Sequence, residues 1–207
     1  NKYEILAHKM ERLLKEKGIK EINISAAGGP CLAKNLANKA HTSVVFANTD
    51  IKVAKKISKL VSTNYYHVFT SDDVIGVETC AAIKNIFSMA VGASQGLCES
   101  TKSKEKNYLN TAAALIQESI YEMIIFVEKL KGKKETVIGL AGIGDLYVSA
   151  DGGRNSKMGE YLAQGLSFKE AKKTKMPLDT VEGADLALEI GKKVKEDFDT
   201  KTLPLMT

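Results

Sequence analysis

The hydrophobic period of this chain changes near residue 70, and no other sequence feature constrains the fold as strongly. Before that point, short apolar segments suited to strands alternate with segments whose apolar residues recur at helical spacing. Strands that alternate with helices favour right-handed crossovers and a mostly parallel sheet covered on both faces. The first helix is predicted to begin at Tyr3 and to stop at Gly18, and two further helices are predicted over 32–38 and 50–61. The strands are predicted over 21–27, 43–47 and 65–70.

Beyond residue 70 the strand signals largely disappear, and the remainder is predicted to be helical. Asp72 or Asp73 provides an N-cap for a long helix that ends near Leu97, and a broad apolar stripe predicts a second helix over 108–130. Around one glycine-rich break, shorter helices are predicted over 158–166, 167–175 and 182–194.

We therefore predict two domains with a boundary at residue 70. Residues 1–70 are expected to form part of an α/β domain with a parallel sheet, and residues 71–207 an all-α helical domain. Both are expected to be incomplete, because three strands are few for such a sheet and an apolar segment begins at 203–207.

Composition excludes several classes of protein. Hydrophobic residues make up 44% of the chain and charged residues 27%, so neither a disordered nor a fibrous protein is expected. No uninterrupted apolar run reaches the roughly 18 residues of a membrane span, and residues 1–20 lack a signal-peptide core, which favours a soluble cytoplasmic protein. The scattered histidines and the odd number of cysteines, without a C-x-x-C pair, favour neither a metal site nor a disulfide framework: Cys31, Cys80 and Cys98.

The choice of basic residues disfavours a nucleic-acid partner. The chain has 28 lysines and only two arginines, Arg12 and Arg154, against 25 acidic residues. A nucleic-acid binder is expected to supply more guanidinium groups and exposed aromatic rings. The lysine clusters are interpreted as solvated helix faces, among them Lys169, Lys172, Lys173 and Lys175.

Lys84 is a candidate catalytic residue. The positions one helical turn away from it are small or apolar, so no carboxylate of the same helix pairs with it: Cys80, Ala81, Phe87 and Ser88. Desolvation among such neighbours suits a proton donor or acceptor. The alternative is an ordinary lysine whose stem lies on apolar surface and whose ammonium group reaches water.

A second candidate site is the glycine-rich segment 139–155. Five glycines in seventeen residues allow a backbone to approach a ligand closely, and Arg154 offers a guanidinium fork to a phosphate. The alternative is a flexible surface loop whose arginine pairs with an acid. Gly142-x-Gly144 is not interpreted as a dinucleotide fingerprint. That motif requires a strand before it and a helix that opens at its last glycine, whereas Leu146-Tyr147-Val148 follows immediately here.

These motifs together resemble the NAD(P)-dependent glycerol-3-phosphate dehydrogenase family. Over about residues 20–190 their order is similar to the family's G-P-S-F-A-K, G-V-E-x-x-x-x-x-K-N and G-L-A-G-x-G-D-L patterns. The matching stretches are Gly29-Pro30-Cys31-Leu32-Ala33-Lys34, 76–86, 139–146, Gly152-Gly153-Arg154-Asn155 and Val181-Glu182-Gly183.

The resemblance implies a partial Rossmann-type domain followed by a helical substrate domain. It also implies interconversion of dihydroxyacetone phosphate and sn-glycerol 3-phosphate with NAD or NADP, which supplies glycerol phosphate for phospholipid synthesis. Lys84 then matches the catalytic acid/base, with Asn85 beside it, and Asp145 matches the acid that orients substrate and lysine. The residues that match the phosphate end and the pocket wall are Ser149, Gly153, Arg154 and Asn155.

By the same resemblance, two stretches match positions around the nicotinamide. Gly29 and Cys31 match substrate-pocket positions beside it, while Ala33, Glu182 and again Arg154 match cofactor-binding positions. Cys31 departs from the family's usual Ser or Asn, which removes a good hydrogen-bonding group. The residue that selects NADH or NADPH, and the family's glycine fingerprint, are expected upstream, so the isolated chain is expected to show little turnover.

Two alternatives stay open at this point. Another β-hydroxyacid dehydrogenase would also couple such domains to a catalytic lysine, although those relatives separate the lysine from the asparagine. A non-catalytic helical module for dimerisation or binding would explain the long apolar helices. A homodimer is the default expectation for the oligomeric state, with a phosphorylated triose as the small-molecule partner.

Overall fold

A computed structural model of the chain describes residues 3–100 and 108–207. The strands are β1 (Ala26–Gly28), β2 (Thr42–Ala47) and β3 (Tyr66–Ser71). The helices are α1 (Leu6–Glu16), α2 (Ala33–Ala37), α3 (Ile51–Val61), α4 (Val74–Ser100), α5 (Leu109–Lys129), α6 (Lys134–Val137), α7 (Asp145–Ala150), α8 (Arg154–Ala163), α9 (Phe168–Thr174) and α10 (Glu182–Asp197), with a π-helical turn (Leu140–Gly144) before α7. The predicted succession, a small α/β part and then helices, is confirmed.

The sheet is mixed, with the strand order β1-β2-β3. Strands β2 and β3 are parallel, as predicted, with Thr42 opposite Tyr66. The prediction of a parallel sheet is wrong for β1, which runs antiparallel to β2 with Gly28 opposite Val45. The reason is the connection: α2 has five residues and rises only about 8 Å, whereas a crossover must return along a strand of about 20 Å.

The described chain divides into two compact units. One is Asn1–Ala81 with Ile124–Asp145, and the other is Ala82–Met123 with Leu146–Thr207. The predicted domain boundary at residue 70 falls at the end of β3, whereas the compact units divide the chain within α4 and again within α5. A division into domains 1–70 and 71–207 therefore stays a prediction.

Two carboxylates organise the first unit, the buried Asp73 and the half-buried Glu78. Asp73 caps α4 by accepting a hydrogen bond from the Gly76 amide at 2.8 Å, which confirms the predicted N-cap. Its other oxygen accepts from the Lys133 amide at 2.8 Å and from the Thr136 hydroxyl at 2.6 Å, so it also fixes the start of α6. Glu78 accepts from the amide of Ala7 in α1 at 2.9 Å. The segment Gly76-Val77-Glu78 thus has a structural role, because it takes part in the cap of α4 and binds the first turn of α1.

In the second unit, the backbones of α4 and α8 are in direct contact. A Cβ atom on Gly92 would lie 2.0 Å from the Ser156 carbonyl oxygen, and a Cβ atom on Gly159 would lie 1.9 Å from the Met89 carbonyl oxygen. Glycine is therefore required on both helices, and the contact fixes where α8 begins relative to α4.

Helix α4 is long and apolar enough, by length and composition, to cross a membrane. Glu78 and Lys84 interrupt the apolar residues of α4, so the helix contains no uninterrupted apolar run of that length. Half of the most apolar 18-residue window of α4 is buried inside the protein. Burial of that kind is also found in the core helix of a folded domain.

Glu122 in α5 holds the carboxyl-terminal segment of the second unit. Its side chain is fully buried and accepts hydrogen bonds from the amides of Leu205 at 2.6 Å and Met206 at 3.0 Å. Burial raises the pKa of this carboxyl to about 6, the two amides oppose that rise, and the nearby charge of Glu118 adds to it.

We expect Glu122 to make the free energy of unfolding depend on pH. Its pKa is higher in the folded chain than the ordinary 4.5, so the folded state binds the proton more tightly. The resulting stabilisation is complete below pH 4.5 and is lost as the pH rises through 6. Across that interval Glu122 should lower the free energy of unfolding of the wild type by about 1–2 kcal/mol as the pH rises. Glu122→Gln should abolish this decrease, which urea unfolding at a series of pH values measures. Parallel pH curves for the wild type and the variant would contradict the expectation.

Candidate active site

Two helix starts meet in the second unit and carry three of the predicted site residues, Arg154, Asn155 and Glu182. Helix α8 begins with Arg154 and Asn155, and α10 begins with Glu182 and Gly183. The Arg154 guanidinium donates to Glu182 Oε1 at 2.6 Å, and the Asn155 side chain accepts from the Gly183 amide at 2.8 Å. The first-turn amides of a helix have no partners inside that helix, so the pair of helix starts forms a cluster of N–H donors.

The side chain of Asn155 is saturated by protein partners. Its Nδ2 donates to Asn85 Oδ1 at 3.1 Å and to Glu182 Oε2 at 3.4 Å, while its Oδ1 accepts from the Gly183 amide. Both hydrogens of the amide group are thereby used. A Cβ atom on Gly183 would lie 2.5 Å from the Asn85 carbonyl oxygen, so glycine is required for this approach. Asn155 is buried and joins the starts of α8 and α10 to α4.

Glu182 is held in its ionised form. Burial acts to raise the pKa of this carboxyl, but hydrogen bonds from Thr180, its own backbone amide and Asn155, together with the charge of Arg154, lower the pKa below its ordinary value. A carboxylate in the first turn of a helix is also favoured by the helix dipole. The Arg154 side chain keeps 52% of its surface exposed, so this ion pair leaves the guanidinium accessible.

Lys84, Ser149 and Gly153 lie next to this network in the chain. Lys84 is half-buried on α4 and directly precedes Asn85. Gly152, at φ 82°, and Gly153 connect α7 to α8. A Cβ atom on Gly153 would lie 2.4 Å from the carbonyl oxygen of Ser149, so this turn also needs glycine. The alternative for 139–155 is wrong in its flexible loop, because most of that segment is helical and α8 begins at Arg154, but its pairing of the arginine with an acid is confirmed by Arg154 and Glu182.

The first unit brings together Gly29, Cys31 and Asp145. Asp145 is buried, and its Oδ2 accepts from the Gly29 amide at 3.4 Å. Gly29 has φ 122°, and a Cβ atom there would lie 3.2 Å from the Cα of Val44. Burial, and then the charge of Asp145, raises the pKa of the Cys31 thiol. Ala33 is exposed at the first position of α2.

The segment before Asp145 is helical, although the sequence analysis treated it as a glycine-rich break. A hydrogen bond from the Gly144 amide to the Gly139 carbonyl, 3.3 Å long, spans five residues and widens the helix into a π turn. A Cβ atom on Gly142 would lie 2.0 Å from the Val137 carbonyl oxygen. The segment follows α6 and not the strand that a dinucleotide fingerprint requires, but α7 does open directly after Gly144, contrary to the expectation from Leu146-Tyr147-Val148.

Sequence reasoning missed two members of this arrangement. The Thr180 hydroxyl donates to Glu182 Oε1 at 2.6 Å, and Gly183 supplies the amide that holds Asn155. A threonine two residues before an acid at a predicted helix start is the signal that could have identified Thr180. Lys84 and Asp145 belong to different compact units, and their convergence on one substrate stays a prediction.

Comparison with known proteins agrees with these features. The sequence model of the "NAD-dependent glycerol-3-phosphate dehydrogenase C-terminus" matches residues 73–207. The NADP(+)-dependent glycerol-3-phosphate dehydrogenase of Archaeoglobus fulgidus is 36% identical over 183 residues, which are 86% of this chain and 53% of that protein. The glycerol-3-phosphate dehydrogenase [NAD(P)+] of Clostridium tetani is 36% identical over 81% of this chain and 46% of its own length. The chain thus spans about half the length of these relatives.

Solved structures show the same fold. The crystal structure of glycerol-3-phosphate dehydrogenase from Coxiella burnetii superposes with a TM-score of 0.79 at 29% identity, over 95% of this chain and 58% of that one. The enzyme from Saccharomyces cerevisiae reaches 0.82 over 98% of this chain and 59% of that one, at 23% identity, which supports the fold alone. Because the family's own sequence model matches well over half of the chain, this protein belongs to the NAD-dependent glycerol-3-phosphate dehydrogenase family.

Proposed function

We propose that this chain forms the substrate-binding and catalytic part of an NAD(P)-dependent glycerol-3-phosphate dehydrogenase. The reaction is the interconversion of dihydroxyacetone phosphate and sn-glycerol 3-phosphate, which supplies glycerol phosphate for phospholipid synthesis. The observation that carries the proposal is the pair of helix starts at Arg154–Asn155 and Glu182–Gly183, joined by Asn155 and left accessible at the Arg154 guanidinium.

The phosphate end of the substrate is assigned to the start of α8. Arg154 offers a bidentate fork, and the amides of the first turn of α8 point away from the helix, where they favour a negative charge. Because the Asn155 side chain is saturated, we assign its contribution to the backbone amide. Gly153 lets the phosphate approach that turn, and Ser149 lines the pocket.

The reacting carbonyl is assigned to Lys84. During reduction negative charge develops on the C2 oxygen, and the Lys84 ammonium stabilises this charge and then transfers a proton from Nζ to the oxygen. In the reverse direction the neutral amine accepts that proton. Asp145 orients the substrate hydroxyl groups, and Asn85 holds the network next to Lys84. Binding energy from the remote phosphate positions the carbonyl.

The residues present fit the nicotinamide half of a dinucleotide. Glu182 supplies an ionised acceptor and Arg154 an accessible cation, and Ala33 is exposed at the start of α2. Gly29 and Cys31 are assigned to the substrate pocket, as the family resemblance implies. When bound, the reduced nicotinamide supplies the hydride. The sequence contains no G-x-G-x-x-G segment to hold the pyrophosphate.

The proposed function is tested in a chimera in which the amino-terminal part of the A. fulgidus relative precedes this chain. We expect oxidation of NADH or NADPH that depends on dihydroxyacetone phosphate, because the phosphate site and Lys84 belong to this chain. Loss of the signal when a β-keto acid without phosphate replaces the substrate is the control. Preference for the carboxylate-bearing substrate would overturn the assignment in favour of another β-hydroxyacid dehydrogenase.

We also assign the protein to the cytoplasm, as a homodimer that binds neither nucleic acid nor membrane. The near balance of 30 basic and 25 acidic residues, with lysine in great excess over arginine, supports the absence of a nucleic-acid partner. Partial burial of α4 supports its place in a folded core. A two-fold dimer is the commonest assembly among soluble homo-oligomers.

A further inference from the structure

One lysine of the second unit differs from its neighbours in what its ammonium contacts. Lys172 lies near the end of α9, and its Nζ donates to the Met176 carbonyl at 3.0 Å and to the Asp179 carbonyl. Its side chain is half-buried, whereas the neighbouring Lys173 is exposed. A charge-assisted hydrogen bond is about twice as strong as a neutral one, so Lys172 restrains both carbonyls.

The two carbonyls are the first and last of one tight turn. The Asp179 amide donates to the Met176 carbonyl at 3.3 Å across Pro177 and Leu178, which is the pattern of a β-turn with proline at its second position. The ammonium of Lys172 therefore bonds both ends of the turn at once. Met176 is buried, while Leu178 at the tip is 97% exposed.

The turn leads directly into the candidate active site. Thr180 follows Asp179, and its hydroxyl donates to Glu182 Oε1, the atom that also accepts from Arg154. Val181 is buried beside Met176 in a small apolar cluster, so the backbone is fixed at 176 and 181 by packing. Between those two points, Lys172 fixes the backbone at Asp179, one residue before Thr180.

We propose that Lys172 is a positioning residue for the nicotinamide cofactor. It acts through the 176–179 turn to hold Thr180, which in turn orients Glu182 toward Arg154. The inference rests on the proposed function, since it deepens the assignment of Glu182 to the cofactor. Lys172 touches neither substrate nor cofactor, and its effect is transmitted by the backbone of 179–182.

The first test needs no activity and uses the 207-residue chain. In Lys172→Met, amide hydrogen exchange should become about tenfold faster at Asp179, which reports the turn, and at Gly183, which reports the site. Lys173→Met is the matched control and should change neither amide. Lys172→Arg keeps the charge and the donors and should restore slow exchange. Unchanged exchange at Gly183 in Lys172→Met would overturn the inference, because the lysine would then stabilise only its own turn.

The second test uses the chimera and separates binding from chemistry. Lys172→Met should raise the KM for NADH or NADPH about fivefold and leave kcat within about twofold, because Lys84 is untouched. Lys172→Arg should recover most of the KM. An equal fall in kcat with no change in KM would overturn the cofactor assignment. If the wild-type chimera reduces no dihydroxyacetone phosphate, the proposed function fails, while the exchange at Gly183 still decides the role of Lys172.

Discussion

Replacement of Lys84 with alanine is expected to lower the kcat of the chimera by about 10²- to 10⁴-fold, the usual contribution of a positioned acid or base. The ammonium that stabilises and protonates the C2 oxygen is lost, while the phosphate site at the start of α8 remains. The KM for dihydroxyacetone phosphate should therefore change much less than kcat. Steady-state kinetics with saturating NADH or NADPH measure both constants.

Two further variants make the Lys84 experiment specific. Lys84→Arg retains a positive charge but holds its proton at every accessible pH, so it should recover substrate binding and not turnover. Lys157→Ala removes an exposed lysine of α8 and should leave kcat unchanged. If Lys84→Ala keeps more than about a tenth of the wild-type kcat, Lys84 is not the acid/base.

Gly159→Ala is expected to destabilise the chain by about 3 kcal/mol or more. The new Cβ atom would lie 1.9 Å from the Met89 carbonyl oxygen and 3.0 Å from the Ala93 amide nitrogen. Both are backbone atoms of α4, so no side-chain rotation relieves the overlap and the two helices must separate. Urea unfolding followed by circular dichroism measures the change in the free energy of unfolding.

Gly191→Ala provides the matched control for this prediction. Gly191 lies in α10, and among the residues that the structure describes no atom outside the neighbouring backbone of α10 lies within 4 Å of the Cβ atom that alanine would add. The same substitution should there stabilise the chain by about 0.5–1 kcal/mol, because alanine is the better helix former. Equal effects at the two positions would show that α4 and α8 are not in backbone contact.

Local signals predicted most of the helices. Asp50 caps α3 through the Lys52 amide at 2.9 Å, and Ser167 and Glu170 form the capping box of α9, so both helices begin where short polar side chains indicate. The direction of β1 was not predictable in this way, because pairing depends on how the connection through α2 folds back. The predicted strand 21–27 is observed only as Ala26–Gly28.

The sequence predicted which residues belong to the candidate site better than it predicted what each of them contacts. Family motifs identified Asn85, Arg154, Asn155 and Glu182, which the structure brings together. The same motifs gave no hint that the Asn155 side chain is saturated or that Glu78 caps α1. Those facts depend on contacts between residues far apart in sequence, which no local pattern encodes.

One lysine of the predicted solvated face at 169–175 does not fit that prediction. The cluster around 169–175 was interpreted as a solvated face, yet Lys172 binds two backbone carbonyls. The four lysines of that cluster are chemically identical in sequence, and only the path of the chain after α9 singles out one of them. The usual behaviour of a lysine on a solvated helix face therefore does not apply to Lys172.

The π turn before Asp145 accommodates one residue more than an ordinary helical turn does. Deleting one residue from 140–144 would therefore let an ordinary turn form and leave α7 close to its present direction. The Asp145 carboxylate would then stay near the Gly29 amide, although the spacing of the motif would have changed. A one-residue alignment gap inside this stretch is therefore a weaker warning of lost activity in distant homologues than a substitution of Asp145 is.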